Sequence, residues 1–171
     1  AASDVYKRQG YYQRTVEFGR RGDFITSPGI SKLFSEMIAI WVVSFWENLN
    51  KPEKINLVEL GAGNGELIEV LINTLNKLEI VKDKFKFFIF EKSVSLKKLQ
   101  KKKFSKSVKW LDSFDKLPNS PTIFLANEFF DALPIKQFIK INEDWYENYV
   151  LLNKRGKFSL EKKKVTKKKM E

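Results

Sequence analysis

The chain has 171 residues, the size of one domain, and its 43% hydrophobic content with 15 Phe and 4 Trp supplies a core that excludes wholesale disorder. It contains no Cys and no His, which removes disulfides, thiol nucleophiles, imidazole bases and zinc sites built on nitrogen or sulfur, so acid–base chemistry falls to carboxylates, Tyr, Lys or water. The net charge of +11 is concentrated at the end, where residues 154–171 carry nine basic and two acidic side chains; the remaining +4 gives no general nucleic-acid footprint.

Residues 1–9 show no period and read as foreign or junction sequence. Residues 10–25 form a Gly-punctuated, polar and aromatic arm. Thr26-Ser27-Pro28 offers a hydroxyl cap with Pro at the first helical position. The helix predicted from it ends near 48–52 and turns Ile30, Leu33, Phe34, Met37, Ile38, Trp41, Phe45 and Trp46 to the core. Its longest apolar run lies between Glu36 and Glu47, far short of the ~20 residues of a membrane span.

Residues 55–60 then predict a strand that stops at Gly61-Ala62-Gly63-Asn64-Gly65, and a helix follows with Leu67, Ile68, Leu71, Ile72, Leu75 and Leu78 at helical spacing. Strands at 85–91, 108–111 and 122–126 follow, with a basic surface helix over 95–104 built on Leu96, Leu99 and Phe104. This alternation means an α/β fold, Rossmann-like, whose parallel sheet is covered by helices on both faces. Residues 138–141 and 145–152 predict an antiparallel pair, and 153–171 a basic tail. The predicted organisation is therefore an arm and helix over 10–54, a partial α/β domain over 55–152, and the tail.

In such a sheet ligands bind beyond the carboxyl ends of the strands. At the first end, Glu59 precedes a loop in which Gly61, Ala62, Gly63 and Gly65 let a ligand approach the backbone. A dinucleotide fingerprint would require Gly where Glu66 stands, and Glu66 beside a pyrophosphate is repulsive, so NAD is disfavoured. At the second end, Glu91 can accept hydrogen bonds from both hydroxyls of a ribose, though a carboxylate opening a helix occupies the same position. At the third, Leu111 and Asp112 after Trp110 suit an adenine ring and its amine. Together these describe a site for an adenosine without a pyrophosphate, as in S-adenosylmethionine.

The fourth end, Asn127-Glu128-Phe129-Phe130-Asp131-Ala132-Leu133-Pro134, stands in order with residues 22–28 and with Val58-Glu59-Leu60-Gly61-Ala62-Gly63-Asn64-Gly65. In these three motifs the chain, from about Gly10 to Leu152, closely resembles the MidA family. That family comprises proteins of the class I methyltransferase fold and includes the mitochondrial complex I assembly factor that methylates a protein arginine. Gly29 stands where the family usually has Glu, and Asn64 where it usually has Arg. The resemblance implies an S-adenosyl-L-methionine-dependent protein arginine methyltransferase whose cofactor contacts include Asn127. It also implies a protein substrate, expected to be a complex I subunit, and no nucleic acid. The expected location is cytoplasmic in a bacterium and the mitochondrial matrix in a eukaryote.

For methyl transfer to a guanidinium, Glu128 and Asp131 are the candidate carboxylates, with Asp23 on the arm as a third. The competing expectation is a non-catalytic assembly module, which needs neither the Gly loop nor Glu91. A class I methyltransferase sheet has seven strands in the order 3-2-1-4-5-7-6. These 171 residues are accordingly expected to supply its first four strands and a hairpin, and to be inactive alone.

Overall fold

The computed structural model describes residues 27–165, which fall into two compact units joined at Leu133–Pro134. The first unit opens with a single helical turn, α1 (Ser27–Ile30), and a helix, α2 (Lys32–Asn48). Strand and helix then alternate through β1 (Ile55–Leu60), α3 (Glu66–Lys77), β2 (Phe85–Phe90), α4 (Val94–Phe104), β3 (Val108–Leu111) and β4 (Thr122–Leu125). The four strands form one parallel sheet in the order β3-β2-β1-β4. β1 lies inside it, and this is why Ile55, Leu57 and Val58 can form a near-continuous apolar run: neighbours or covering side chains occupy every direction around them.

One face of the sheet packs Leu57, Phe87, Ile89, Val108 and Ile123 against α2, α3 and α4. The opposite face gathers Val58, Phe88 and Leu111 into a smaller cluster flanked by Leu60, Phe90 and Leu117. Leu67, Ile68, Leu71, Ile72 and Leu75 of α3 are buried, as their spacing predicts. The register brings the strand ends level: Leu60 pairs with Phe90, Phe90 with Leu111 and Glu59 with Leu125. The Gly61 N–H donates to the Phe90 carbonyl at 2.9 Å and carries the ladder to the edge of the glycine loop.

The first helix departs from the sequence expectation in two ways. Ser31 is extended (φ −142°, ψ 118°) and splits the predicted helix into α1 and α2. The buried stripe of α2 is Ser35, Ala39, Val42 and Trp46, whereas Leu33, Met37, Trp41 and Phe45 of the expected core face are exposed. Small side chains let α2 approach α3 closely, and Trp46 closes the stripe by donating its indole N–H to the Pro52 carbonyl at 2.8 Å. The helix is apolar on both sides, so periodicity alone does not say which side is inner. Among the described residues, no helix is long and apolar enough to cross a membrane.

The second unit is an antiparallel meander of β5 (Gln137–Ile141), β6 (Asp144–Leu152) and β7 (Phe158–Lys164). The first two strands are the expected pair, joined through Asn142, whose φ of 55° suits a tight hairpin. β7 corrects the reading of 153 onward as a basic tail. Asn153 Oδ1 accepts the N–H groups of Arg155 and Lys157 at 2.9 and 3.0 Å, Gly156 takes φ 72°, and the chain turns back along β6. Lysines suit a strand with no buried face, and Lys164 Nζ reaches Asp144 Oδ2 at 2.6 Å.

Candidate functional site

The loop after β1 is tight, with the Gly65 N–H donating to the Ala62 carbonyl at 2.7 Å. Two of its glycines have different reasons to be glycine. At Gly61 (φ 65°), an added Cβ would lie 2.6 Å from the Phe129 ring, so the missing side chain admits the segment after β4. At Gly63 (φ 54°), a Cβ would meet nothing within 4 Å among the described residues, and the backbone there leaves space that a ligand can enter. Ala62 itself is buried in the core beneath the loop. Gly61→Ala combines an unfavourable φ with a clash against the ring and should cost roughly 1–3 kcal/mol in a urea melt. An unchanged midpoint would show that Phe129 moves aside freely.

Gly65 is followed by Glu66, the first residue of α3, with Glu69 in the same turn. The Glu66 carboxylate lies 2.7 Å from where a Cβ on Gly29 would stand, so Gly29 leaves the room that this side chain fills. Two acids on the first turn of α3 make the loop a poor seat for a phosphate tail.

Beneath the loop lie two carboxylates. Glu59 is 5% exposed and burial pushes it up to about 8, against a lowering bond from the Ile68 N–H; the nearby Glu91 raises it further. Its Oε2 has no hydrogen-bond partner among the described residues and is held out of water. Glu91 follows β2, and burial raises it too, opposed by the Ser93 N–H, the Gln100 amide, the Lys92 N–H and Lys97. One Glu91 oxygen accepts the Ser93 N–H at 2.9 Å, so this carboxylate also orders the first turn of α4. Glu91 thus follows a strand and opens a helix at once.

Gln100 and Trp110 complete this cluster. Gln100 Nε2 donates to the Gly63 carbonyl at 2.8 Å and to Glu91 Oε2 at 3.3 Å, while Trp110 Nε1 donates to Gln100 Oε1 at 3.0 Å. The lysine-rich helix had offered Leu99 as a core residue. Leu99 is 45% exposed, and Gln100, at 0%, takes the inner position between Leu96 and Phe104. Its spacing of four from each was the available signal.

At the end of β3, the Leu111 side chain belongs to the cluster on the opposite sheet face, leaving Trp110 on the side of Gln100. Asp112 is exposed, and its hydrogen bond and charge pairing with Lys97, at 2.8 Å, hold it below its usual range. After β4, Asn127 is half-buried, and Glu128 is exposed with φ 53°, left-handed backbone that a non-glycine residue adopts at a cost. Asp131 is exposed in the 3₁₀ turn Phe130–Ala132 and makes no side-chain bond among the described residues. Asp23 lies outside the described residues. The structure thus brings Glu59, Glu91 and the Gly63 carbonyl into one buried cluster, and Phe129 ties the fourth strand end to the first.

Residues 37–171 match the model of the family described as "Putative S-adenosyl-L-methionine-dependent methyltransferase". A similar relative is "Protein arginine methyltransferase NDUFAF7 homolog, mitochondrial" of Caenorhabditis elegans, 34% identical over 91% of this chain and 42% of that protein. The human protein arginine methyltransferase NDUFAF7, mitochondrial, is 30% identical over 83% of this chain and 38% of its own length. Among solved structures, a COG1565 superfamily member from Burkholderia thailandensis bound to S-adenosyl-homocysteine superposes with a TM-score of 0.74 at 26% identity, covering 95% of this chain and 44% of that one. The chain therefore spans about two fifths of the length of the relatives it matches.

Proposed function

This chain belongs to the MidA-like family of S-adenosyl-L-methionine-dependent methyltransferases, and from that premise we propose that its strand ends bind S-adenosyl-L-methionine for methyl transfer to a protein arginine. The observation that carries the reading is the pairing of an open backbone at Gly63 with a buried Glu91 at the next strand end. Gly63 leaves room for a ligand, and Glu91, held by the Ser93 N–H and the Gln100 amide, keeps lone pairs to accept two ribose hydroxyls. Burial keeps Glu59 protonated up to about pH 8, and a cationic tail beside it would favour the carboxylate, whereas a phosphate would not. When bound, the cofactor supplies a methyl group already activated by its sulfonium centre.

The substrate side of this proposal is the segment after β4, where Glu128 and Asp131 offer free carboxylates to a guanidinium. A protein substrate follows, in keeping with relatives named protein arginine methyltransferases, and their mitochondrial names support, in a eukaryote, the mitochondrion as the place; a respiratory complex I subunit is the target this reading assigns. Calorimetry with S-adenosylhomocysteine tests the cofactor reading. The parent should bind, and Glu91→Ala should weaken binding about 10- to 100-fold, since charged hydrogen bonds contribute ~1.5–3 kcal/mol. Equal affinity in the variant would remove Glu91 from the ribose.

A further inference from the structure

Gln100 links three strand ends. Through its primary amide it reaches the loop after β1 at Gly63, the residue closing β2 at Glu91 and the β3 residue Trp110. It is fully buried on α4, on the same inner stripe as Leu96 and Phe104. An amide is costly to bury unless each of its groups is bonded, and here two donors and one acceptor all have partners. The orientation of the amide is not free. An indole N–H can only donate, so Gln100 Oε1 must face Trp110, and Nε2 must then face the Gly63 carbonyl and the Glu91 carboxylate.

One nitrogen therefore lies within 3.3 Å of both a loop carbonyl and a carboxylate oxygen, and sets their separation. Without that donor, the Gly63 carbonyl and the buried Glu91 carboxylate would face each other unbridged, and the loop or the carboxylate would have to move. Leu96 and Phe104 show that an apolar side chain suits the stripe as far as packing goes; the amide is the departure, and its partners are all in the candidate site.

We propose that Gln100 is a positioning residue for nucleoside recognition, holding Glu91 and the Gly63 backbone in the arrangement that accepts a ribose without itself touching the ligand. This rests on the cofactor reading above. Removing the amide should cost affinity only where the ribose hydroxyls are present to report on Glu91.

The test is calorimetric titration of the parent, Gln100→Met, Gln100→Glu, Glu91→Gln and the Gln100→Met/Glu91→Gln double variant. The probes are S-adenosylhomocysteine and its 2′,3′-dideoxy analogue, with a thermal melt of each protein. Met keeps the length of Gln without the amide, and Glu keeps its shape but sets a second carboxylate against Glu91. Both should melt as folded proteins yet bind S-adenosylhomocysteine about tenfold or more weakly, the worth of a hydrogen bond to a charged group. They should bind the dideoxy analogue about as the parent does, and the double variant should be no weaker than Glu91→Gln alone, because the two residues act through one contact. Parent-like affinity in both Gln100 variants, equal losses for both probes, additive losses in the double variant, or failure of both variants to fold would each overturn the proposal. A parent that binds neither probe would instead remove the cofactor reading itself, and this role with it.

Discussion

Glu59→Gln should flatten the pH dependence of unfolding and stabilise the protein at pH 8 and above. Burial holds the Glu59 carboxyl up to about 8, well above its ordinary 4.5, so the folded protein keeps a proton there that the unfolded chain has released. Stability from this group is fully present below about pH 4.5 and is lost as pH rises through that window to about 8. At about 1.4 kcal/mol per pKa unit, the difference amounts to roughly 5 kcal/mol by pH 8, a large share of the stability of a small domain. Glutamine keeps an acceptor for the Ile68 N–H and removes the ionisation. A residual slope of the same sign should remain from Glu91, which burial also raises. Urea melts at pH 5, 6.5 and 8 check this. A parent equally stable at all three, or a variant with the same slope as the parent, would show that Glu59 does not ionise against burial.

The parts of this molecule that were legible in its sequence are those set by local chemistry. The β1 run, the glycines behind it and the α3 stripe each have a period or a turn residue that leaves little alternative, and alternation then dictates a parallel sheet with its ends in a row. What was hidden depends on partners distant in sequence. α2 carries apolar residues on two sides, and only its approach to α3 shows that Ser35 and Ala39 face inward. Gln100 stands among lysines and reads as surface until Gly63, Glu91 and Trp110 arrive around it. β7 has no buried side to announce it, so its charges resemble a tail. The chemistry-bearing carboxylates were visible as residue types, but that Glu59 is sealed in while Asp112 lies in solvent follows from packing.

In the protein extended to the length of its relatives, methyl transfer to arginine should fall by about a hundredfold or more in Glu128→Gln, the scale of losing a positioned acid–base group, while S-adenosylhomocysteine binding stays near the parent value. A guanidinium has a pKa of ~13.8, so its proton is not removed in advance. A carboxylate that grips it draws positive charge away from the attacking nitrogen and collects the proton as the new bond forms. Glu128 is placed to do so: it is exposed, has no side-chain partner among the described residues, and is set beside Phe129, whose ring packs on Gly61 at the end of β1. Its φ of 53° costs on the order of 1 kcal/mol for a residue with a Cβ. The left-handed backbone at this carboxylate provides a discriminating variant. Glu128→Gly should relieve the backbone and leave stability unchanged or slightly raised, yet lose transfer as Gln does. Asp131→Asn should weaken transfer with cofactor binding intact, orienting the same guanidinium from the 3₁₀ turn, and Asp23→Asn tests the arm. The assay is incorporation of labelled methyl into arginine of an undermethylated mitochondrial or bacterial lysate, read by mass spectrometry. Full transfer in Glu128→Gly, or label in lysine or nucleic acid with the parent, would overturn the assignment, because a strained carboxylate with no catalytic duty can be replaced by glycine at no loss.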